Sequence, residues 1–134
     1  MIKRINHIAI VVEDLDSALA FWRDAMGLPV AKTEENPGEN VDIAFLPVGE
    51  SEIELLKPTD TESGIGKYLA KKGQGMHHMC IEVEDIDATM QRLAAHGVQM
   101  INDVPRVREE GTRYAFVHPK SAGGVLVELY ELPK

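Results

Sequence analysis

The chain has 134 residues, enough for one domain with a substantial core and too few for two independent ones. Its hydrophobic content of 44%, charged content of 27% and net charge of −8 are those of a globular protein without the basic face that a nucleic-acid or anionic-membrane surface needs. The single cysteine, Cys80, excludes an internal disulfide and fits a reducing compartment.

The N-terminal "MIKRINHIAIVVED" holds an apolar patch of about five residues, too short for a signal sequence or a membrane span, so the protein is expected to be cytoplasmic. That patch alternates as a strand, with Ile8, Ile10 and Val12 on one face and His7, Ala9 and Val11 on the other. "DSALAFWRDAMG" then reads as a helix with Leu15, Leu19, Trp22 and Met26 on one stripe, an acidic N-cap and Gly27 as its stop. "PVAKTEE", "VDIAFLPVG" and "SEIELLKP" follow as strands, and "SGIGKYLAKKG" (63–73) as a short connecting helix.

"GMHHMCIEVEDID" (75–87) opens the second half with Met79, Ile81 and Val83 on one strand face and His78 and Cys80 on the other. The next helix, "DATMQRLAAHG", carries Ile86, Met90, Leu93 and Ala94 and stops at Gly97. "VQMINDVPRV", "TRYAFVHPK" and "GVLVELYELP" complete the chain as strands.

The second half repeats the first. "HIAIVVEDLD" (7–16) and "HMCIEVEDID" (78–87) match at six of ten positions, aligning His7 with His78 and Asn6 with His77. Each half reads β-α-β-β-β. The expected fold is α+β, with two pseudo-symmetric βαβββ modules forming one cup-shaped sheet domain: module one over about 1–60 and module two over about 75–134. With the Ile, Met and Val faces under the helices, His7 and His78 fall on the opposite, concave side.

The last strand of each half carries one acid among apolar neighbours, Glu54 in "EIELLKP" and Glu128 in "VLVELYE". Burying either without a partner is costly. Two histidines and two glutamates related by one repeat form a convergent His₂Glu₂ set suited to a divalent metal. Co²⁺ and Mn²⁺ are the first choices, with Ni²⁺, Zn²⁺ and Fe²⁺ also compatible with this donor set. Parity gives His77 a structural or outer role. His96 sits at a helix C-terminus, where a cation meets the dipole favourably. His118 lies at a strand end, and Cys80 shares the face of His78.

With His, Glu, His and Glu in this order on a doubled βαβββ frame, the chain resembles the vicinal-oxygen-chelate superfamily of glyoxalases, bleomycin-resistance proteins and dioxygenases. "INHIAIVVEDLDSALAFW", "ENVDIAFLPVGESEIELLKP", "GMHHMCIEVEDIDA" and "FVHPKSAGGVLVELYELP" carry the resemblance. Within it, "HHMCIEVEDID" and "HPKSAGGVLVEL" are most similar to the methylmalonyl-CoA epimerase family. The resemblance implies metal ligands at His7, Glu54, His78 and Glu128, and a homodimer. It implies proton transfer at C2 of methylmalonyl-CoA through a metal-stabilised enolate. Glu128 would double as one acid/base, and Asp42, on the face of Ala44 and Leu46, would be the other. His118 or a water held by Glu54 could replace Asp42. Lys120, Ser121 and Arg113 would meet the coenzyme A tail, with Lys57, Lys67, Lys71 and Lys72 as alternatives.

Two other functions fit the same frame. A glyoxalase I type lyase uses His₂Glu₂ metal and an enediolate, and a non-catalytic binding module typically lacks a full ligand set.

Overall fold

The computed structural model describes residues 1–134. They form two compact units, Met1–His7 with His78–Lys134, and Ile8–His77. No helix is long and apolar enough to cross a membrane.

In the unit Ile8–His77, strand β1 (Ile2–Val11) contributes its second half. It neighbours β4 (Ser51–Pro58), which pairs antiparallel with β3 (Val41–Val48), itself paired antiparallel with β2 (Lys32–Asn36). Helix α1 (Leu15–Leu19) starts at Asp14, whose carboxylate accepts from the Ser17 backbone N–H at 2.9 Å. One face of β3 and β4 packs on α1 through Ala44, Leu46 and Leu55 against Leu15 and Leu19. The opposite face gathers Val41, Ile43 and Leu56 with Ala9 of β1 and Ile65 of helix α2 (Gly64–Lys72).

The first helix departs from the expected stripe. After Leu19 it widens into a π-helical segment, Ala20–Ala25, which adds a residue to the turn. Trp22 still reaches the core, but Met26 rotates out to 57% exposure. The α-helical period that placed Met26 inward does not run through a π segment. Gly27 takes φ +84° and ends the helix as expected.

In the other unit the strand order runs from the first half of β1 through β5 (Gly75–Val83), β8 (Val127–Glu131) and β7 (Arg113–Val117) to β6 (Arg106–Val107). β5 and β8 are parallel, whereas β8–β7 and β7–β6 are antiparallel. Helix α3 (Ile86–Ala95) covers one face, setting Ile86, Met90 and Leu93 against Val83, Ala115, Val117 and Leu129. Each fully buried side chain of this size stabilises the fold by about 1.5–3 kcal/mol. Ala94, expected on this stripe, is exposed. The expected strand over 98–107 is mostly irregular, with one bridge between Met100 and Val117 before β6. Pro105 lacks the N–H that would extend the ladder.

Candidate metal centre

Three elements bring the site together within one unit. β1 supplies His7, β5 supplies His78 and Cys80, and β8 supplies Glu128. The parallel register of β5 and β8 sets Cys80 opposite Glu128, and β7 sets Phe116 opposite Glu128 on the other side. Period-two alternation turns all these side chains away from α3, whose partners Ile81, Val83, Val127 and Leu129 occupy the odd positions.

Nε2 of His7 and Nε2 of His78 are 3.3 Å apart, and Oε1 of Glu128 lies 3.4 Å from the first and 3.2 Å from the second. Ligand atoms about 2.1 Å from a common ion stand ~3.0 Å apart at the corners of an octahedron and ~3.4 Å apart in a tetrahedron. The three observed spacings fall in that interval. The donor set, imidazole nitrogen and carboxylate oxygen, suits a divalent ion of intermediate hardness. The residues present therefore fit a metal. Sγ of Cys80 lies nearby, grouped with donor atoms of His7 and Glu128 that are all within 4.8 Å of one another.

Glu128 is 2% exposed. Burial pushes its carboxyl up, but hydrogen bonds and charge from His7 and His78 outweigh that, lowering it from 4.5 to about 2. The carboxylate is thus ready as an anionic ligand throughout the physiological range. Its second oxygen, Oε2, faces the Arg108 guanidinium at 3.8 Å. Arg108 lies over the rings of Tyr114 and Tyr130, 4.5 and 5.7 Å from their centroids. Tyr130 stacks edge-on against His7 at 5.4 Å and Phe116 against His78 at 5.9 Å, so aromatic rings wall the centre. Arg108, Tyr114 and Tyr130 escape sequence reasoning, although Tyr130 shares the period-two face of Glu128 and could have been found from it.

Nδ1 of His7 meets the amide oxygen of Asn6 at 2.8 Å, and Nδ2 of Asn6 donates to Glu82 at 3.1 Å. Neither partner was expected, yet the repeat marks both. Asn6 aligns with His77, and Glu82 is the acid standing where the first copy has Val11.

The other expected site residues lie on further elements. Glu54 lies on β4, paired with Phe45 and on the face of Leu56, away from α1. Asp42 shares the face of Ala44 and Leu46 as expected, but that face packs on α1, and Asp42 lines a cleft with Leu15, Asp16 and Leu19. Facing the helix, it stands on the opposite side of its sheet from Glu54. Lys57, its register partner, shares that side.

Arg113, expected as a coenzyme contact, is paired with acids. It sits on the α3 side of β7, donating to both Asp87 oxygens at 2.8 and 3.0 Å and lying 3.5 Å from Glu131. These acids raise its already high value, Asp87 first. Lys120 and Ser121 occupy an exposed 3₁₀ turn, Pro119–Ala122, where the Ser121 hydroxyl oxygen accepts from the Gln99 N–H at 2.9 Å. His118 caps that turn, its Nδ1 accepting from the Lys120 N–H at 3.1 Å. His77 packs edge-on against Tyr68 at 4.9 Å, and His96 bonds the Arg92 carbonyl at the end of α3.

The profile of the glyoxalase/bleomycin resistance protein/dioxygenase superfamily matches residues 6–116. The chain belongs to this superfamily and has its α+β glyoxalase-like fold. It is 39% identical over 127 residues to a mitochondrial methylmalonyl-CoA epimerase of Mus musculus, covering 94% of this chain and 71% of that protein. An ethylmalonyl-CoA/methylmalonyl-CoA epimerase of Cereibacter sphaeroides is 38% identical over 134 residues, covering 98% of this chain and all of its own. A solved methylmalonyl-CoA epimerase in complex with methylmalonyl-CoA and NH4+ superposes with a TM-score of 0.85 at 38% identity, covering 98% of this chain and 96% of that one.

Proposed function

We propose that this chain is a metal-dependent epimerase that interconverts the two C2 epimers of methylmalonyl-CoA. The observation that carries the reading is the convergence of His7, His78 and Glu128 within 3.4 Å, in a chain similar along almost its whole length to proteins of that name. His7, His78 and Glu128 would hold a divalent ion, Co²⁺ or Mn²⁺ by preference, with Ni²⁺ and Zn²⁺ as alternatives. Glu54 is proposed as a fourth ligand from its place in the repeat and on its strand. When bound, such an ion acts as a Lewis acid toward the thioester and carboxylate oxygens, which is worth several kcal/mol.

The chain's own residues divide the remaining work. Oε1 of Glu128 faces the histidines, so Oε2 would remove the C2 proton from its own face in one direction of turnover and deliver a proton to that face in the reverse direction. Positioned proton transfer of this kind contributes ~10²–10⁴-fold. For the opposite face of the enolate a water held by Glu54 is the proposed second carrier, with Asp42, which packs toward α1, and His118, which caps its own turn, as alternatives. Tyr114, Phe116 and Tyr130 keep bulk water from the histidines. Lys120 and Ser121 are the proposed contacts of the coenzyme A tail, with exposed Lys67, Lys71 and Lys72 as alternatives. A cytoplasmic homodimer is the proposed assembly, its dimerisation supported by exposed Val107 in the edge strand β6 and exposed Val104 just before it.

Exchange at C2 of methylmalonyl-CoA in D₂O, with metal-stripped protein and added Co²⁺ or Mn²⁺, tests the reading. Metal-dependent exchange with interconversion of epimers is expected. Absence of exchange with every metal, while the methylglyoxal–glutathione hemithioacetal is turned over, would make the chain a glyoxalase I type lyase instead.

A further inference from the structure

A buried polar chain runs outward from His7, on the side of the ring away from Glu128. His7 is 2% exposed and Glu82 3% exposed, and Asn6 lies between them. Oε2 of Glu82 faces Lys3 at 3.7 Å and Arg4 at 3.8 Å.

We propose that Glu82 and Asn6 are positioning residues that set the tautomer of His7. Donors and acceptors along the chain fix its direction. A carboxylate only accepts hydrogen bonds, so Glu82 requires the NH₂ end of the Asn6 amide. The amide oxygen is thereby turned to His7, and that oxygen can only accept. Nδ1 of His7 must then carry a proton, so Nε2, which faces His78 and Glu128, is the nitrogen that would give up its proton to bind an ion there. Lys3 and Arg4 stand beside the Glu82 carboxylate and oppose its charge. Without Glu82 the amide could turn over, offer its NH₂ to His7 and favour the other tautomer, whose Nε2–H cannot bind a metal. Outer partners of metal-binding histidines commonly fix the ring in this way, and losing one typically costs 10–100-fold in metal affinity.

The relay serves one histidine only. By the repeat, the counterpart of Asn6 is His77, which packs against Tyr68, and the counterpart of Glu82 is Val11, which cannot accept.

The test has two arms, since the affinity arm rests on the metal-centre reading and the tautomer arm does not. Two-bond ¹H–¹⁵N correlation spectra of the metal-free protein report which ring nitrogen of His7 is protonated. Calorimetric titration with Co²⁺ reports affinity. The native chain is expected to show Nδ1–H. Glu82→Gln is expected to populate both tautomers and to bind Co²⁺ ~10–100-fold more weakly. Asn6→Ala, which removes the acceptor, should do the same and serves where Glu82→Gln does not fold. The exchange Asn6→Asp with Glu82→Gln reverses amide and carboxylate while keeping an acceptor toward His7. It should restore Nδ1–H and recover most of the affinity. The proposal is overturned if the single variants keep the native tautomer and affinity, or if the double exchange is no better than Glu82→Gln. Failure of the native chain to bind Co²⁺ would remove the metal reading while the tautomer spectra still decided the relay.

Discussion

On strands β5, β7 and β8, neighbouring residues meet two different environments. One face carries His78, Cys80, Phe116, Glu128 and Tyr130, and the other carries Ile81, Val83, Ala115, Val117 and Leu129 beneath α3. Burial does not separate them, for Glu128 is 2% exposed and its neighbour Leu129 is 5% exposed. Partners do. Each polar group on the first face has an oriented donor or acceptor or an aromatic edge, while the second face is held by close packing. The one cation on the second face, Arg113, is neutralised by Asp87 and Glu131. A one-residue shift in register would exchange the two faces, so adjacent substitutions on one strand should have opposite effects.

The largest effect is expected on the first face. Glu128→Gln should abolish measurable Co²⁺ binding and lower kcat for epimerisation by at least ~10³-fold while leaving the fold intact, as calorimetry, turnover and circular dichroism will show. Leu129→Ala, one position on, should do the reverse. A cavity under α3 should cost about 2–5 kcal/mol in urea unfolding, with metal affinity unchanged.

Acid should separate the faces as well. The folded value of Glu128, about 2, lies below its ordinary 4.5, so its contribution is present above pH 4.5 and fades as pH falls toward 2. In metal-free protein that contribution is on the order of 3 kcal/mol, read as the difference in acid sensitivity between the native chain and Glu128→Gln. Equal acid sensitivity of the two would show that the histidines do not stabilise the carboxylate.

Arg113→Ala should cost about 0.2–1 kcal/mol of stability, because its pair with Asp87 is partly solvated. KM for the acyl-CoA should not change, whereas a clear rise would return Arg113 to the coenzyme site. Asp42→Asn is expected to change least, with kcat within about twofold of native. A loss of ~10²-fold would place a proton carrier on the α1 side of β3 after all.

The repeat made much of this legible. The match of "HIAIVVEDLD" to "HMCIEVEDID" at six of ten positions placed His7 and His78 on equivalent positions, and alternation put both away from the helices. The glycine stops at Gly27 and Gly97 adopt the positive φ that ends a helix. The same alternation paired Asp42 with Ala44 and Leu46, but which side of that strand the helix would cover is not written in the period. For Arg113 the sign of charge suggested a coenzyme contact, while acids distant in sequence, Asp87 and Glu131, claim it first.

Residue types and spacing alone determined a doubled α+β chain, the strand faces and a convergent set of histidines and acids, because hydrophobic period and repetition are local properties of the chain. Tertiary structure decided the rest. It chose the π segment that turns Met26 outward, the aromatic and Arg108 surround of Glu128, and the Asn6–Glu82 relay to His7. These depend on which donor meets which acceptor across 76 residues of sequence in the case of Asn6 and Glu82, and only the folded register of the strands brings such groups within hydrogen-bond reach.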